Sequence, residues 1–282
     1  MELFQVLITL ALVVLGMLVV SSFIFIGSSR LIGIRGEIRE RAVSILPFLA
    51  LLGVVLAFNS HFRSIFHDIS WWLGMEVTHL IVRVEGHSVA RLQEFGGPEL
   101  NAFFSFIYVF GYVFLLVFPL IAYFVLDRLD MFKSLTIAYT MNYGLGIICY
   151  VIFVAYGPRN MIPELVEEPL YLYYPQYQLL TSEINEYTNV FPSLHTSLSA
   201  TVMFFAWRTR DRYRLWMPVA MFLGTSVIIS TMYLAIHWMI DVVAGIILAW
   251  ISYYVSILTV KNDWLSRTDL LDYVTNRVRL GR

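Results

Sequence analysis

Charge and cysteine are scarce in this chain of 282 residues. Charged residues make up 14% of it, whereas an ordinary soluble domain has roughly a quarter, so the composition does not fit a soluble domain. The formal net charge of -1 argues against a nucleic-acid partner. The single cysteine, Cys149, excludes an intrachain disulfide.

Long apolar runs dominate the chain instead. Hydrophobic residues account for 59% of it, and the mean hydropathy is +0.73. Because a helix needs about 20 apolar residues to cross the hydrocarbon layer, the runs predict an all-α, polytopic transmembrane bundle of about seven spans. We expect one transmembrane domain over 1–260, a catalytic core near 134–250 and a cytoplasmic tail over 261–282. The predicted spans are 4–28, 43–60, 101–126, 134–156, 191–207, 215–234 and 238–260.

The basic residues are distributed unevenly between the two sides of this predicted bundle. Of the 19 lysines and arginines, 15 fall in the segments 29–42, 127–133 and 208–214 and in the tail from 261. All four segments lie on one side when seven spans are drawn, and the positive-inside rule makes that side cytoplasmic. The opposite ends of the helices then face outward.

Two segments on the predicted outer side are not spans. Between 61 and 100, the apolar positions from Ile69 to Val84 keep helical spacing while Glu76, His79 and Arg83 occupy other faces. This pattern predicts a short amphipathic helix at the interface, either as cover for the bundle or as a substrate gate. The loop over 156–191 is rich in glutamate and tyrosine, which fits a lid or an interfacial segment equally well.

A histidine follows a proline at the start of the fifth predicted span, in Phe191-Pro192-Ser193-Leu194-His195-Thr196. Proline suits the first turn of a helix, so the amides near Ser193, Leu194 and His195 are predicted to point outward at a helix N-terminus. Such an end attracts anions, phosphate in particular. His195 would then reach the leaving oxygen of a bound phosphate.

A second histidine opens the last predicted span. His237 and Asp241 are four residues apart, which places them on one helical face. The carboxylate can accept a proton from one ring nitrogen and leave the other nitrogen free to attack. A basic residue is also needed to neutralise a transferring phosphoryl group, and Arg159 begins the long outer loop.

These segments resemble the type-2 phosphatidate phosphatase superfamily. Its pattern is Lys-x6-Arg-Pro, then Pro-Ser-Gly-His, then Ser-Arg-x5-His-x3-Asp. The resemblance implies that His237 is the nucleophile, Asp241 its partner and His195 the acid for the leaving group, with no metal or cofactor. The positions assigned to substrate binding are Arg159, Ser193, Leu194, Tyr156 and Ser230.

The chain departs from that pattern in ways that remove positive charge. Leu194 replaces the glycine, Thr231 stands where the second arginine is expected, and Ile152 occupies the lysine position. Pro158 precedes Arg159 instead of following it. The two lysines of the chain, 133 and 261, lie on the predicted cytoplasmic side. The predicted site is therefore less cationic than the superfamily pattern.

The variant Pro-Ser-Leu-His, with Met232-Tyr233-Leu234 before the second histidine, resembles the inositol phosphorylceramide synthase branch of the superfamily. Members of that branch transfer a phosphorylated head group between lipids through the same histidine chemistry. The resemblance leaves open whether water or another alcohol resolves the intermediate.

The sequence thus predicts an integral membrane phosphoesterase that acts on lipid phosphates at the extracytoplasmic face of the cell membrane. A lipid phosphate or phospholipid is the expected substrate, membrane lipids are the expected surroundings, and the oligomeric state is not specified. Three alternatives stay open: a head-group phosphotransferase, an iron or zinc site formed by two histidines and an aspartate, and a non-catalytic lipid-binding protein.

Overall fold

The computed structural model describes residues 3–174, 176–177 and 187–262. The glutamates at 183 and 186 of the predicted outer loop, and the predicted tail from 263 onward, lie outside the described residues. The described chain is almost entirely helical, with one pair of two-residue strands. The predicted all-α membrane bundle is confirmed.

The elements follow one another along the chain as helices of very different length. Pi-helical turns over Ser22–Ile26 and Ile107–Gly111 continue or join the α-helices on either side of them. The elements are α1 (Leu3–Ser21), α2 (Ser28–Gly33), α3 (Ile38–Leu73), β1 (Met75–Glu76), α4 (Thr78–Glu85), α5 (Ser88–Gln93), α6 (Pro98–Phe106), α7 (Tyr112–Phe124), α8 (Asp130–Ile152), β2 (Phe153–Val154), α9 (Pro158–Met161), α10 (Pro169–Tyr173), α11 (Leu194–Arg208), α12 (Trp216–Tyr233) and α13 (Met239–Lys261).

Six helical stretches in the described chain are long and apolar enough to cross a membrane. They are Leu3–Ile26, Ile38–Phe62, Pro98–Phe124, Asp130–Ile152, Trp216–Tyr233 and Met239–Lys261. The predicted span at 191–207 is also a helix, α11, which has 15 residues. It runs from His195 at the histidine end of the bundle to Arg208 in a cleft at the basic end, and it lies at the centre of the bundle, packed against α8, α12 and α13.

Close packing around α11 depends on glycines in its three neighbours. An added Cβ at Gly146 of α8 would clash with Leu194, and one at Gly224 of α12 would clash with Met203. A Cβ at Gly245 of α13 would meet the backbone carbonyl of Ser193. Small residues let membrane helices approach closely, so Gly146 and Gly245 bring the start of α11 against its neighbours, and Gly224 does the same near Met203 in its second half.

The prediction of one amphipathic helix over 69–84 is wrong, because two separate helices cover this range. Helix α3 continues to Leu73, Gly74 ends it, and a new helix, α4, begins at Thr78. Between them β1 pairs in parallel with β2, which follows α8. A Cβ at Gly74 would clash with the carbonyls of Ser70 and Val151, so a tertiary contact, not the local hydropathy pattern, ends the helix.

The basic segments and the histidines lie at opposite ends of the bundle. Arg30, Arg41 and Arg212 line one cleft between the segments that join the spans. Arg41 Nη1 also donates to the Leu126 carbonyl at 2.6 Å. His237 precedes α13 whereas Lys261 ends it, so one full helix separates the two ends.

Candidate active site

Ser193 caps the start of α11 and hydrogen-bonds it to the start of α13. Ser193 is buried, and its Oγ accepts the Thr196 amide at 3.3 Å. The Ser193 amide donates to the Asp241 carbonyl at 3.1 Å. The predicted helix N-terminus at this point is therefore present, but the Ser193 amide is already bonded within the chain.

His237 lies in the short connection between α12 and α13, outside regular helix. Its backbone amide donates to the Thr231 carbonyl at 3.0 Å, and Ala235 before it adopts a left-handed φ of 55°. Such a conformation is unfavourable for alanine and persists only where surrounding contacts impose it. The connection is thus a fixed turn that presents His237 at the end of the bundle.

His237 and Asp241 lie next to each other, as their spacing predicts, but the predicted hydrogen bond between them is not formed. Nδ1 of His237 lies 3.5 Å from Oδ2 of Asp241, which is longer than a typical hydrogen bond, and this nitrogen has no hydrogen-bond partner among the described residues. The same Oδ2 accepts the Trp238 amide at 2.7 Å. Asp241 is fully buried, so this carboxylate both caps α13 and faces the imidazole.

The structure brings the two histidines together from separate helices. Their ring centroids are 6.3 Å apart, with an interplanar angle of 54°. His237 is buried and His195 is half-buried. A phosphorus atom between the rings would be reachable from both of them, since each nitrogen needs only about 3 Å to a reacting atom.

Two tyrosines contact the His195 ring, and neither of them was predicted from the sequence as a site residue. The Tyr108 ring stacks on it at 4.6 Å between centroids, and the Tyr112 ring lies at 4.4 Å. Tyr108 belongs to the π-helical turn between α6 and α7, and such turns are frequent at functional sites. The four-residue spacing of the two tyrosines is visible in the sequence. The hydropathy pattern, however, does not indicate the π-helical turn that carries Tyr108.

Arg159 is held beside the His237 connection by three contacts. Its amide donates to the Ala235 carbonyl at 3.1 Å, and its Nη1 donates to the Tyr171 hydroxyl at 2.8 Å. The guanidinium also lies 5.1 Å from the centroid of the Tyr171 ring. Gly157 makes this approach feasible, because a Cβ there would clash with the Ile236 carbonyl.

Burial lowers the pKa of His237 from its usual 6.5 to about 3; the Val190 carbonyl opposes this shift, and the charge of Arg159 adds to it. The imidazole is therefore neutral at physiological pH. A neutral imidazole has a free nitrogen lone pair, which a nucleophile requires.

Three other predicted substrate-binding residues serve mainly structural contacts. The Tyr156 carbonyl accepts a hydrogen bond from the Trp238 indole N–H at 2.8 Å, and the Tyr156 amide donates to Thr78 Oγ1 at 3.0 Å. The Leu194 side chain packs where Gly146 leaves room. The Ser230 hydroxyl donates to the Val227 carbonyl at 2.7 Å within its own helix.

Within the described residues, no three side chains from histidine, cysteine, aspartate or glutamate converge on one ion position. His195 faces two tyrosine rings, and Oδ2 of Asp241, the oxygen nearest His237, accepts the Trp238 amide.

Residues 78–255, which are more than half of the chain, match the family model described as the PAP2 superfamily. No curated protein and no solved structure gives a match. The matched region contains both histidines, Asp241, Arg159 and the two tyrosines that hold His195. The chain belongs to the PAP2 superfamily, a family of phosphatase-type membrane phosphoesterases.

Proposed function

We propose that this protein cleaves lipid phosphates at the extracytoplasmic membrane face through a phosphohistidine intermediate. The observation that carries the proposal is the 6.3 Å separation of the two imidazoles, with Arg159 beside the connection that bears His237. Membership in the PAP2 superfamily supports a phosphatase-type reaction.

In the first step, a ring nitrogen of neutral His237 attacks phosphorus. The new N–P bond forms as the bond between phosphorus and the lipid oxygen breaks, and His195, which is protonated when the anionic phosphate is bound beside it, gives its proton to the departing oxygen. Asp241 stabilises the positive charge that develops on the attacking imidazole. Arg159 neutralises charge on the transferring group.

In the second step, water resolves the intermediate. His195, now neutral, takes a proton from the water as its oxygen attacks phosphorus, and the N–P bond breaks. Inorganic phosphate leaves, His237 is neutral again, and His195 carries the proton for the next cycle. Protons and bonds therefore balance over the two steps without a further reactant.

A lipid substrate is supported by where the site lies. The site forms at one end of the bundle, at the junctions of α11 and α13 with their connections, which is the depth at which lipid head groups reside. The basic clefts lie at the opposite end of the bundle. By the positive-inside rule, that arrangement supports an extracytoplasmic site.

Head-group transfer is a second candidate, and the low positive charge of the site favours it. Arg159 is the cation that the described residues place beside His237, and both lysines lie at the other end of the bundle. A phosphate monoester carries about 1.5 to 2 negative charges at neutral pH, whereas a phosphodiester carries one. One arginine matches the diester that a head-group transferase uses.

Purified protein in detergent tests these proposals with defined lipids. We expect phosphate release from a lipid phosphate monoester, its loss in His237→Ala, and its retention in His79→Ala, which alters an exposed histidine of α4. Rapid quenching with labelled substrate should trap an acid-labile phosphoprotein in wild type. Its absence at every time point, despite turnover, would contradict the covalent mechanism.

Two further arms separate the alternatives. Transfer from a phosphodiester lipid to an added alcohol, without release in water, would assign the transferase. Activity that a chelator removes and zinc or iron restores would assign the metal site. No turnover of any lipid, together with a lipid-dependent phenotype unaffected by His237→Ala, would assign a non-catalytic protein.

A further inference from the structure

Glu85, at the last position of α4, bonds to the first turn of α13. Its Oε2 accepts the Met239 amide at 2.9 Å, and its Oε1 accepts the Ile240 amide through a short hydrogen bond. The Ser88 hydroxyl donates to the same carboxylate at 3.0 Å. One side chain from the segment after α3 thus bridges two successive amides of the last span.

Those two amides belong to the part of the chain that joins His237 to Asp241. The first amides of a helix have no partner within it, and a carboxylate there stabilises the helix by hydrogen bonding and by its charge. Asp241 takes the Trp238 amide, and Glu85 takes the next two. Carboxylates of this chain therefore accept the three successive amides at 238, 239 and 240, where α13 begins.

We propose that Glu85 is a positioning residue for the nucleophile. It holds the backbone at 239 and 240 and so fixes the turn that sets His237 against Asp241. It also occupies a helix N-terminus that would otherwise attract phosphate, which leaves the substrate phosphate to Arg159 and the histidines. The inference rests on the proposed function, because it concerns the same site.

The first consequence is kinetic. In Glu85→Ala, kcat falls about 10- to 100-fold, because small displacements of a reacting group have large effects on rate, while KM changes less than about threefold since no substrate contact is removed. Glu85→Gln keeps a carbonyl acceptor and retains more of the rate than Glu85→Ala. Glu94→Ala, which removes an exposed glutamate of the same outer segment, leaves both constants unchanged.

Chemical rescue distinguishes positioning from general damage to the fold. Glu85→Ala leaves a cavity faced by two free amides and the Ser88 hydroxyl, which formate or acetate can fill. Added formate should raise kcat of Glu85→Ala several-fold and leave wild type and Glu94→Ala unchanged. No rescue, or equal rescue of all three proteins, would overturn the positioning role.

Amide hydrogen exchange tests the contact without any activity. Met239 and Ile240 should exchange at least about tenfold faster in Glu85→Ala than in wild type, as expected when a hydrogen bond of 1.4 kcal/mol or more is lost. Exchange near Gly245, deeper in α13, should stay the same. Unchanged exchange at 239 and 240 would refute the inference even if the protein proved to be an active phosphatase. If amides 239 and 240 exchange faster in Glu85→Ala but the wild-type protein hydrolyses no lipid, the proposed function would be refuted while the Glu85 contact would be confirmed.

Discussion

The two histidines of the site differ in what their rings contact, although burial lowers the pKa of both from 6.5 to about 3. The rings of Tyr108 and Tyr112 lie against His195, and aromatic faces stabilise a cation. His237 instead lies near the Arg159 guanidinium, whose charge lowers its pKa further. We therefore expect His195 to take up the proton that the acid role requires once an anionic phosphate is bound, and His237 to stay neutral as the nucleophile.

Leaving-group dependence tests this division. His195→Gln should lower hydrolysis of a lipid phosphate by about 10²- to 10⁴-fold, the usual contribution of a general acid. Hydrolysis of an aryl phosphate, whose phenolate leaves without a proton, should slow by less than about tenfold in the same variant. His237→Gln should lose activity on both substrates. Equal losses of His195→Gln on the two substrates, measured as kcat/KM, would exclude His195 as the acid.

The lowered pKa of His237 also predicts how stability depends on pH. The unfolded chain binds a proton at this histidine below about pH 6.5, while the folded protein excludes it until about pH 3. The contribution of neutral His237 to the free energy of unfolding is thus fully present above pH 6.5. It falls as the pH drops toward 3, by at most about 1.4 kcal/mol per pH unit. Thermal unfolding in detergent should show a shallower acid decline for His237→Asn than for wild type. Parallel pH profiles of the two proteins would contradict a buried, neutral imidazole.

At the residue scale, the four-residue spacing of His237 and Asp241 predicted their proximity but not its form. Helix α13 begins between them, so His237 stands on a turn fixed by Thr231. The spacing of Tyr108 and Tyr112 was visible in the sequence, but which part of the fold Tyr108 and Glu85 contact was not predictable, because each comes from a segment distant from the histidines. Local patterns carry no information on which segments meet.

At the scale of elements, hydropathy located the long helices and missed their junctions. The apolar runs predicted seven spans, and six of them are helices that are long and apolar enough to cross a membrane, because apolar length alone decides that property. Where α3 ends depends on Gly74 against the carbonyls of Ser70 and Val151, and a contact between distant segments has no hydropathy signal. The site is assembled at such junctions, which explains why its histidines were predictable and its supporting contacts were not.

The junction of α9 with the His237 connection gives the sharpest test at this scale. Gly157→Ala places a Cβ against the Ile236 carbonyl, so the two backbones must separate. We expect a loss of about 1–3 kcal/mol in stability, as for other overpacked positions, and a fall in kcat of about 10²-fold from displacement of the next residue, His237. Gly144→Ala is the matched control, because a Cβ there meets nothing within 4 Å. Thermal unfolding and phosphate release should separate the two variants, and equal behaviour would show that the junction does not position the site.

At the scale of the whole molecule, charge and chemistry lie at opposite ends of one bundle. Residues on the connections at the basic end share clefts lined by arginines, while the strand pair and the short outer helices gather around the histidines. The sequence predicted this polarity, because the distribution of lysine and arginine is readable without coordinates. The predicted span at 191–207 is the 15-residue helix α11, which joins the two ends of the bundle.

The orientation of the bundle is tested by labelling single cysteines from one side of the membrane. In a Cys149→Ser parent, Glu164→Cys places a thiol on the exposed loop at the histidine end, and Arg39→Cys places one at the basic end. A membrane-impermeant maleimide should label Glu164→Cys in intact cells and label Arg39→Cys only after permeabilisation, because the basic segments are retained on the cytoplasmic side. The parent without cysteine controls for background labelling. The reverse pattern would place the histidines on the cytoplasmic face, where the substrate would have to be a lipid phosphate of the inner leaflet.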